Sequence, residues 1–120
     1  MAPVVRIVAA STADLVAAVR GLLLEYVASL GFDLCFQDFD DELAHLADQY
    51  DPPSGTLLAA FLDDGIVGCV GLRRFSDDAC EMKRLYVRRA SRGYGVGRRL
   101  AAAAVKHARR LGYTTMRLDT

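Results

Sequence analysis

A chain of 120 residues, 52% of them apolar, is expected to hold one domain, residues 1–120, around a single small core. Its 15 Lys and Arg balance 15 Asp and Glu, and it has no run of about 18 apolar residues, so no membrane-spanning helix is expected. The N-terminal stretch is cut by Arg6 and lacks the basic head and apolar body of a secretory signal, so a cytoplasmic location is expected.

Residues 4–9 are rich in β-branched side chains and read as a first strand. Ser11 or Thr12 then caps a helix with Asp14 in its first turn. Leu15, Val16, Val19, Leu22, Leu23, Tyr26, Val27 and Leu30 recur at helical spacing, and Gly31 is the stop. Residues 32–39 are loop-like, and residues 40–50 form a second short helix with Leu43 and Leu46 inward, ended by Asp51-Pro52-Pro53-Ser54-Gly55. Residues 57–62 and 66–72 are apolar strands around Asp63-Asp64-Gly65, a strong hairpin signal. A second hairpin turns at Ser76-Asp77-Asp78 and returns as residues 80–87. After a glycine turn, an alanine-rich amphipathic helix runs over residues 98–111 to Gly112, and residues 115–118 begin another strand. This order of elements implies an α/β fold: a mixed central sheet with helices on both faces.

Charge is unevenly spread along the chain. Residues 21–72 contain ten acids and no Lys or Arg, whereas residues 73–120 contain thirteen bases and four acids. Such asymmetry can steer ligands: the basic half suits a polyphosphate, and the acidic half is left to attract a cationic amine. The plainer reading is a solvated surface whose charges neutralise each other. Cys35, Cys69 and Cys80 are odd in number and form no C-x-x-C pair, so neither a disulfide framework nor a zinc site is suggested, and no metal is expected. Each reads as a small buried hydrophobe.

The most informative segment is Arg92-Gly93-Tyr94-Gly95-Val96-Gly97, between the apolar triplet Leu85-Tyr86-Val87 and a helix. Glycine admits positive φ and close backbone approach, and a helix N-terminus carries partial positive charge, so the expected ligand is an anion, phosphate before others. A P-loop would need a Gly-Lys pair, and none is present. A dinucleotide fingerprint G-x-G-x-x-G/A meets Arg98 or Leu100 at its sixth position, where a small residue is needed, although Asp119 stands where a ribose-binding acid would. The pattern that fits is Arg/Gln-x-x-Gly-x-Gly/Ala, satisfied by Arg92, Gly95 and Gly97.

On these residues, and on the order of strand, loop and helix over residues 81–111, the chain resembles the GNAT superfamily of acyl-CoA-dependent N-acyltransferases. The resemblance implies a GNAT-like fold and acetyl-CoA as cosubstrate, with acetyl passing to a small amine or to a protein or peptide amine by direct attack in a ternary complex. It implies that the backbone of Arg92, Gly93, Tyr94, Gly95, Val96, Gly97 and Arg98 holds the pyrophosphate. The backbone of Leu85, Tyr86 and Val87 would pair with pantetheine in a gap beside the next strand, and the Leu85 N–H would polarise the thioester carbonyl. Arg88, Arg89, Arg98 and Arg99 are candidates for further phosphate contacts.

Glu81 stands where some members place a general base. Period-two alternation puts it on one face with Lys83, Leu85 and Val87, and the plainer reading is an ion pair with Lys83 or a neighbouring arginine. Cys80 has the opposite parity and no evident histidine partner, which disfavours a covalent route. The family pattern continues past Thr120 with a helix and two strands, so the domain is expected to be C-terminally truncated and to self-associate through an open sheet edge. An acyl-CoA-binding module without turnover is the alternative. A nucleic-acid binder is disfavoured by the phosphate-cradling glycines and the acidic half.

Overall fold

Alternation of side chains along the strands determines how this molecule is layered. In the computed structural model, which describes residues 4–29 and 37–118, Leu57 and Ala59 of strand β2 (Thr56–Leu62) pack on one face, and Leu58 and Ala60 pack on the other. Period two thus gives β2 two buried faces, each covered by helices.

The first face carries α1 (Ala13–Ser29), α2 (Gln37–Ala44) and α3 (Leu46–Gln49), whose Val16, Val19, Leu22, Leu23, Leu43 and Leu46 form one core cluster with the sheet. The second face carries α4 (Val96–Arg110), which inserts Val96, Leu100 and Ala104. Five strands pair in chain order: β1 (Val5–Ala9), β2, β3 (Gly65–Arg74), β4 (Ala79–Val87) and β5 (Thr115–Leu118). The first four are antiparallel, and β5 joins β4 in parallel after the α4 crossover, giving the expected mixed α/β sheet. Among the described residues no helix is long and apolar enough to cross a membrane.

Local signals explain most boundaries. Thr12 is the cap of α1, its Oγ1 accepting the Leu15 N–H at 3.2 Å. Asp63, at φ +54, and Asp64 make the tight turn from Leu62 to Gly65. The expected stop at Gly31 lies outside the described residues. Three helix boundaries differ from expectation. The second helix begins at Gln37, inside the stretch expected to be loop-like. The second helix is broken at His45, whose backbone leaves helical values and whose Nδ1 lies 3.2 Å from the Asp41 carbonyl that also accepts the His45 N–H. The last helix begins at Val96, two residues before the expected Arg98, because left-handed Gly95 already serves as its N-cap.

A larger difference lies in β4. Gly71 faces Lys83 and Cys69 faces Tyr86, so two steps on β3 oppose three on β4. The extra residue makes a bulge at Arg84, which sits at φ +60. Before it, Cys80 and Met82 pack with α4; after it, Tyr86 joins the cluster beneath α1 and Val87 packs with α4. Strict alternation would have put Glu81 and Val87 on one face. The bulge separates them, and Glu81 lies on the α1–α3 face with Arg84 and Tyr86.

Gly71 also makes room for a side chain. A Cβ there would come within 2.4 Å of the Tyr50 ring, which is 1% exposed and packs against β3. Gly71→Ala is expected to lower stability by about 1–3 kcal/mol through overpacking. Denaturant unfolding checks this, and an unchanged midpoint would contradict it.

Candidate functional site

The glycine loop begins where β4 ends. Pairing continues one residue beyond Val87, with the Arg88 N–H donating to Val67 O at 2.8 Å, and a single 3-10 turn (Arg89–Ser91) then leads to the glycines. Gly93 has φ +97 and Gly95 φ +76, and a Cβ on either would meet nothing within 4 Å. Conformation rather than space requires glycine here: a side chain at such φ costs about 1–2 kcal/mol. Gly97 differs: it lies inside α4, and a methyl at its Cα would have Val87 Cγ2 as nearest neighbour, at 3.6 Å.

Gly95 has no side chain with which to cap α4, and the first turn contains no acid. The first backbone bond of the helix runs from the Arg99 N–H to Gly95 O at 3.1 Å, so the preceding N–H groups point beyond the helix end, with the positive end of its dipole. The Arg92 side chain turns back, Nε donating to Val87 O at 3.1 Å, and ties the loop to the end of β4. Tyr94 and Arg98 are exposed at the loop's rim, and Val96 is buried beneath it. The Arg92 N–H, expected to belong to the loop's donors, instead closes the 3-10 turn on Arg89 O at 3.2 Å, so the backbone donors that come together at the helix end are those of residues 93–98.

The edge of β4 facing β5 is the second component. Among the described residues β5 pairs with β4 only at residues 79–82, so no described strand continues beside residues 85–87 on that side. Leu85, 45% exposed, lies in this stretch. The Cys69 thiol, fully buried on β3, donates to the Arg84 carbonyl at 3.4 Å. Burial pushes the Cys69 thiol up to about 12, so the S–H is retained at neutral pH. In a planar trans peptide the C=O and N–H point in opposite directions. With the Arg84 carbonyl turned toward the Cys69 thiol, the Leu85 N–H is directed away from that thiol.

Three carboxylates on the α1–α3 face each hold an arginine. Glu42, buried at 5% exposure, accepts Arg84 Nε at 2.8 Å and Nη2 at 3.0 Å, and the Tyr50 hydroxyl at 3.0 Å. Burial alone would raise the Glu42 pKa, but the Arg84 guanidinium, with help from Tyr50 and Lys83, outweighs it and holds the carboxyl below its ordinary 4.5. Burial, reinforced by Glu42, pushes the Tyr50 phenol well above its ordinary range. Glu25 receives Arg88 Nε and Nη2, both at 3.0 Å, and the Tyr86 hydroxyl at 3.3 Å. Glu81 accepts Arg73 Nε at 3.1 Å, while Arg73 Nη1 reaches Gln49 at 3.2 Å. Glu81 therefore makes the ion pair of the plainer reading, and Arg88 is directed to Glu25 rather than toward the loop. Two acids of the acidic half, Glu25 and Glu42, are thus engaged in charge neutralisation within the fold and bind α1 and α2 to β4.

A cleft of about 650 Å³ lies elsewhere, lined by Ala9, Thr12, Val16, Tyr50, Asp51 and Leu57 among others. It touches neither the glycine loop nor Glu81.

The acetyltransferase (GNAT) family model matches residues 22–120. The chain belongs to the GNAT family. It is 45% identical over 101 residues to an uncharacterized N-acetyltransferase of Schizosaccharomyces pombe, covering 82% of this chain and 62% of that protein. An uncharacterized N-acetyltransferase of Dictyostelium discoideum is 39% identical over 66 residues, 54% of this chain and 31% of the relative. The chain thus spans less than two thirds of these relatives' lengths. Its fold matches an acetyltransferase from Streptococcus agalactiae with TM-score 0.77 at 23% identity, covering 97% of this chain and 73% of that one. It also matches an aminoglycoside N-acetyltransferase solved in complex with CoA, TM-score 0.76 at 16% identity, covering 100% and 79%.

In this GNAT chain the sequence reading missed three contributors: the Arg92 side chain, the Cys69 thiol and the Glu42–Arg84 pair. Only the charge blocks hinted at the last, since acids of the first half meet bases of the second.

Acid should weaken that pair. Because the native Glu42 pKa lies below its unfolded value, its contribution to stability is complete above about pH 4.5 and is lost as pH falls through the native value. Thermal melts between pH 7 and about pH 3 should show wild type losing more stability than Glu42→Gln. Equal losses would contradict this.

Proposed function

We propose that this chain is an acyl-CoA-dependent N-acetyltransferase domain that moves acetyl from acetyl-CoA to a primary amine by direct attack in a ternary complex. The observation that carries this reading is the placement of two donor sets along one strand: a left-handed glycine nest opening α4 directly after β4, and, in the stretch that β5 leaves unpaired, a Leu85 N–H directed away from the Cys69 thiol. The solved neighbour that holds CoA supports the choice of cosubstrate, as does another solved with a bisubstrate analog of CoA and acetylneamine.

On this reading the N–H groups of residues 93–98 receive the pyrophosphate, and the pantetheine lies along Leu85, Tyr86 and Val87. The Leu85 N–H donates to the thioester oxygen as negative charge develops there, a role worth about 3 kcal/mol per donor in acyl transfer. The amine nitrogen bonds to the carbonyl carbon, the C–S bond breaks, and CoA leaves as thiolate. One proton leaves the amine nitrogen for Glu81, and the thiolate takes up a proton to become the thiol. At about 3.3 Å per strand residue, Glu81 lies some four residues, or roughly 13 Å, from Leu85, so water relays that proton. Arg73 holds the Glu81 carboxylate in orientation to receive it.

Calorimetry with acetyl-CoA and desulfo-CoA, followed by a panel of amines with thiol detection, tests the proposal. Tight binding with thiol release supports it, whereas binding without release favours the module that lacks turnover. Glu81→Gln should lower turnover about 100-fold and shift its pH profile, leaving acetyl-CoA affinity intact; an unaltered profile would remove Glu81 from the mechanism. Gly97→Ala should keep or slightly raise stability, since alanine favours a helix interior by about 1 kcal/mol, yet weaken CoA binding, because on this reading the pyrophosphate lies against the first turn of α4 to which the methyl is added. Undiminished affinity would count against the cradle.

A further inference from the structure

We propose that Glu42 is a positioning residue: through Arg84 it holds the β4 bulge in the one register that turns the Leu85 N–H to the open edge. This rests on the acetyl transfer proposed above and adds a residue of α2, more than forty positions upstream of the bulge, to what that chemistry requires.

Arg84 is an unusual residue for its backbone. At φ +60 it occupies the left-handed region that glycine fills readily and long side chains resist. What retains it there is contact at both ends. Its guanidinium forms two hydrogen bonds to the two oxygens of Glu42, at 2.8 and 3.0 Å, a planar fork that fixes orientation as well as distance. Its carbonyl accepts the Cys69 thiol.

Glu42 is itself fixed. The Tyr50 hydroxyl donates to it at 3.0 Å, and the Tyr50 ring lies against Gly71, the residue that faces Lys83 at the start of the bulge. The chain of contacts thus runs from Gly71 through Tyr50, Glu42 and Arg84 back to the strand that Gly71 pairs with. A bulge is one extra residue, and shifting it by one position turns the side chain between the two placements to the other face of the sheet. Moving it by one would exchange which amide faces β3 and which faces the edge. The Glu42 fork opposes such a shift, because it holds the Arg84 side chain on the α1–α3 face.

The test uses glycine's indifference to φ. Glu42→Gln should lower kcat about tenfold through loss of alignment, with acetyl-CoA dissociation constants within about twofold of wild type. Arg84→Gly, which adopts φ +60 without a clamp, should retain several-fold more turnover than Arg84→Ala, and adding Glu42→Gln to Arg84→Gly should cost little further turnover. In the free proteins, amide NMR signals of residues 83–86 should move in Glu42→Gln while those of residues 93–97 stay in place. Unmoved signals at residues 83–86, or equal turnover for Arg84→Gly and Arg84→Ala, would overturn the inference. A wild type that transfers no acetyl would overturn the activity, and the amide signals would still decide the clamp.

Discussion

β4 carries one more residue than β3 can pair with, and much of the site depends on where that residue goes. Placed at Arg84, it lets one strand serve two cores: Met82 packs under α4 before it, and Tyr86 packs under α1 after it. It also rotates the Arg84–Leu85 peptide so that a buried thiol takes the carbonyl and the N–H is directed away from that thiol. The same irregularity that interrupts the ladder therefore creates a directed donor, in keeping with the tendency of bulges to sit beside functional sites.

Electrostatics divides the labour along the chain. The acids of α1 and α2 meet arginines of β4, with Glu25 on Arg88 and Glu42 on Arg84. These pairs join the two oppositely charged halves across the first face. The glycine loop on the other side of β4 has no carboxylate in the first helical turn behind it, and Arg109 and Arg110 complement the dipole at the far end of α4. An anion at the loop thus meets backbone donors and a helix end with no acid in that turn to compete.

What the sequence revealed follows from how local each cause is. Gly93 and Gly95 are legible because positive φ is a property of a single residue, and Thr12 and the Asp63-Asp64 turn are read in the same way. The order of elements sufficed for the mixed sheet. The bulge was not legible: residues 80–87 read as a plain strand, and only pairing with β3 reveals the surplus residue. That is why Glu81 was grouped with Val87 although they lie on opposite faces. The Glu42–Arg84 fork and the Cys69–Arg84 contact join distant positions and leave no periodic trace, and Cys69 read as a hydrophobe is in fact a hydrogen-bond donor. At His45 a break in backbone conformation divided a helix whose apolar spacing looked continuous.

The central claim is that the nest of residues 93–98 and the edge at Leu85 take a single CoA molecule together. The most direct measurement is a backbone amide NMR titration with CoA, compared with pantetheine lacking the nucleotide and pyrophosphate. The account predicts that CoA moves the amides of Gly93, Gly95, Gly97 and Arg98 together with Leu85, and that pantetheine alone leaves the glycine amides in place. Shifts confined to the cleft around Ala9 and Thr12, with the glycine loop unmoved, would contradict it.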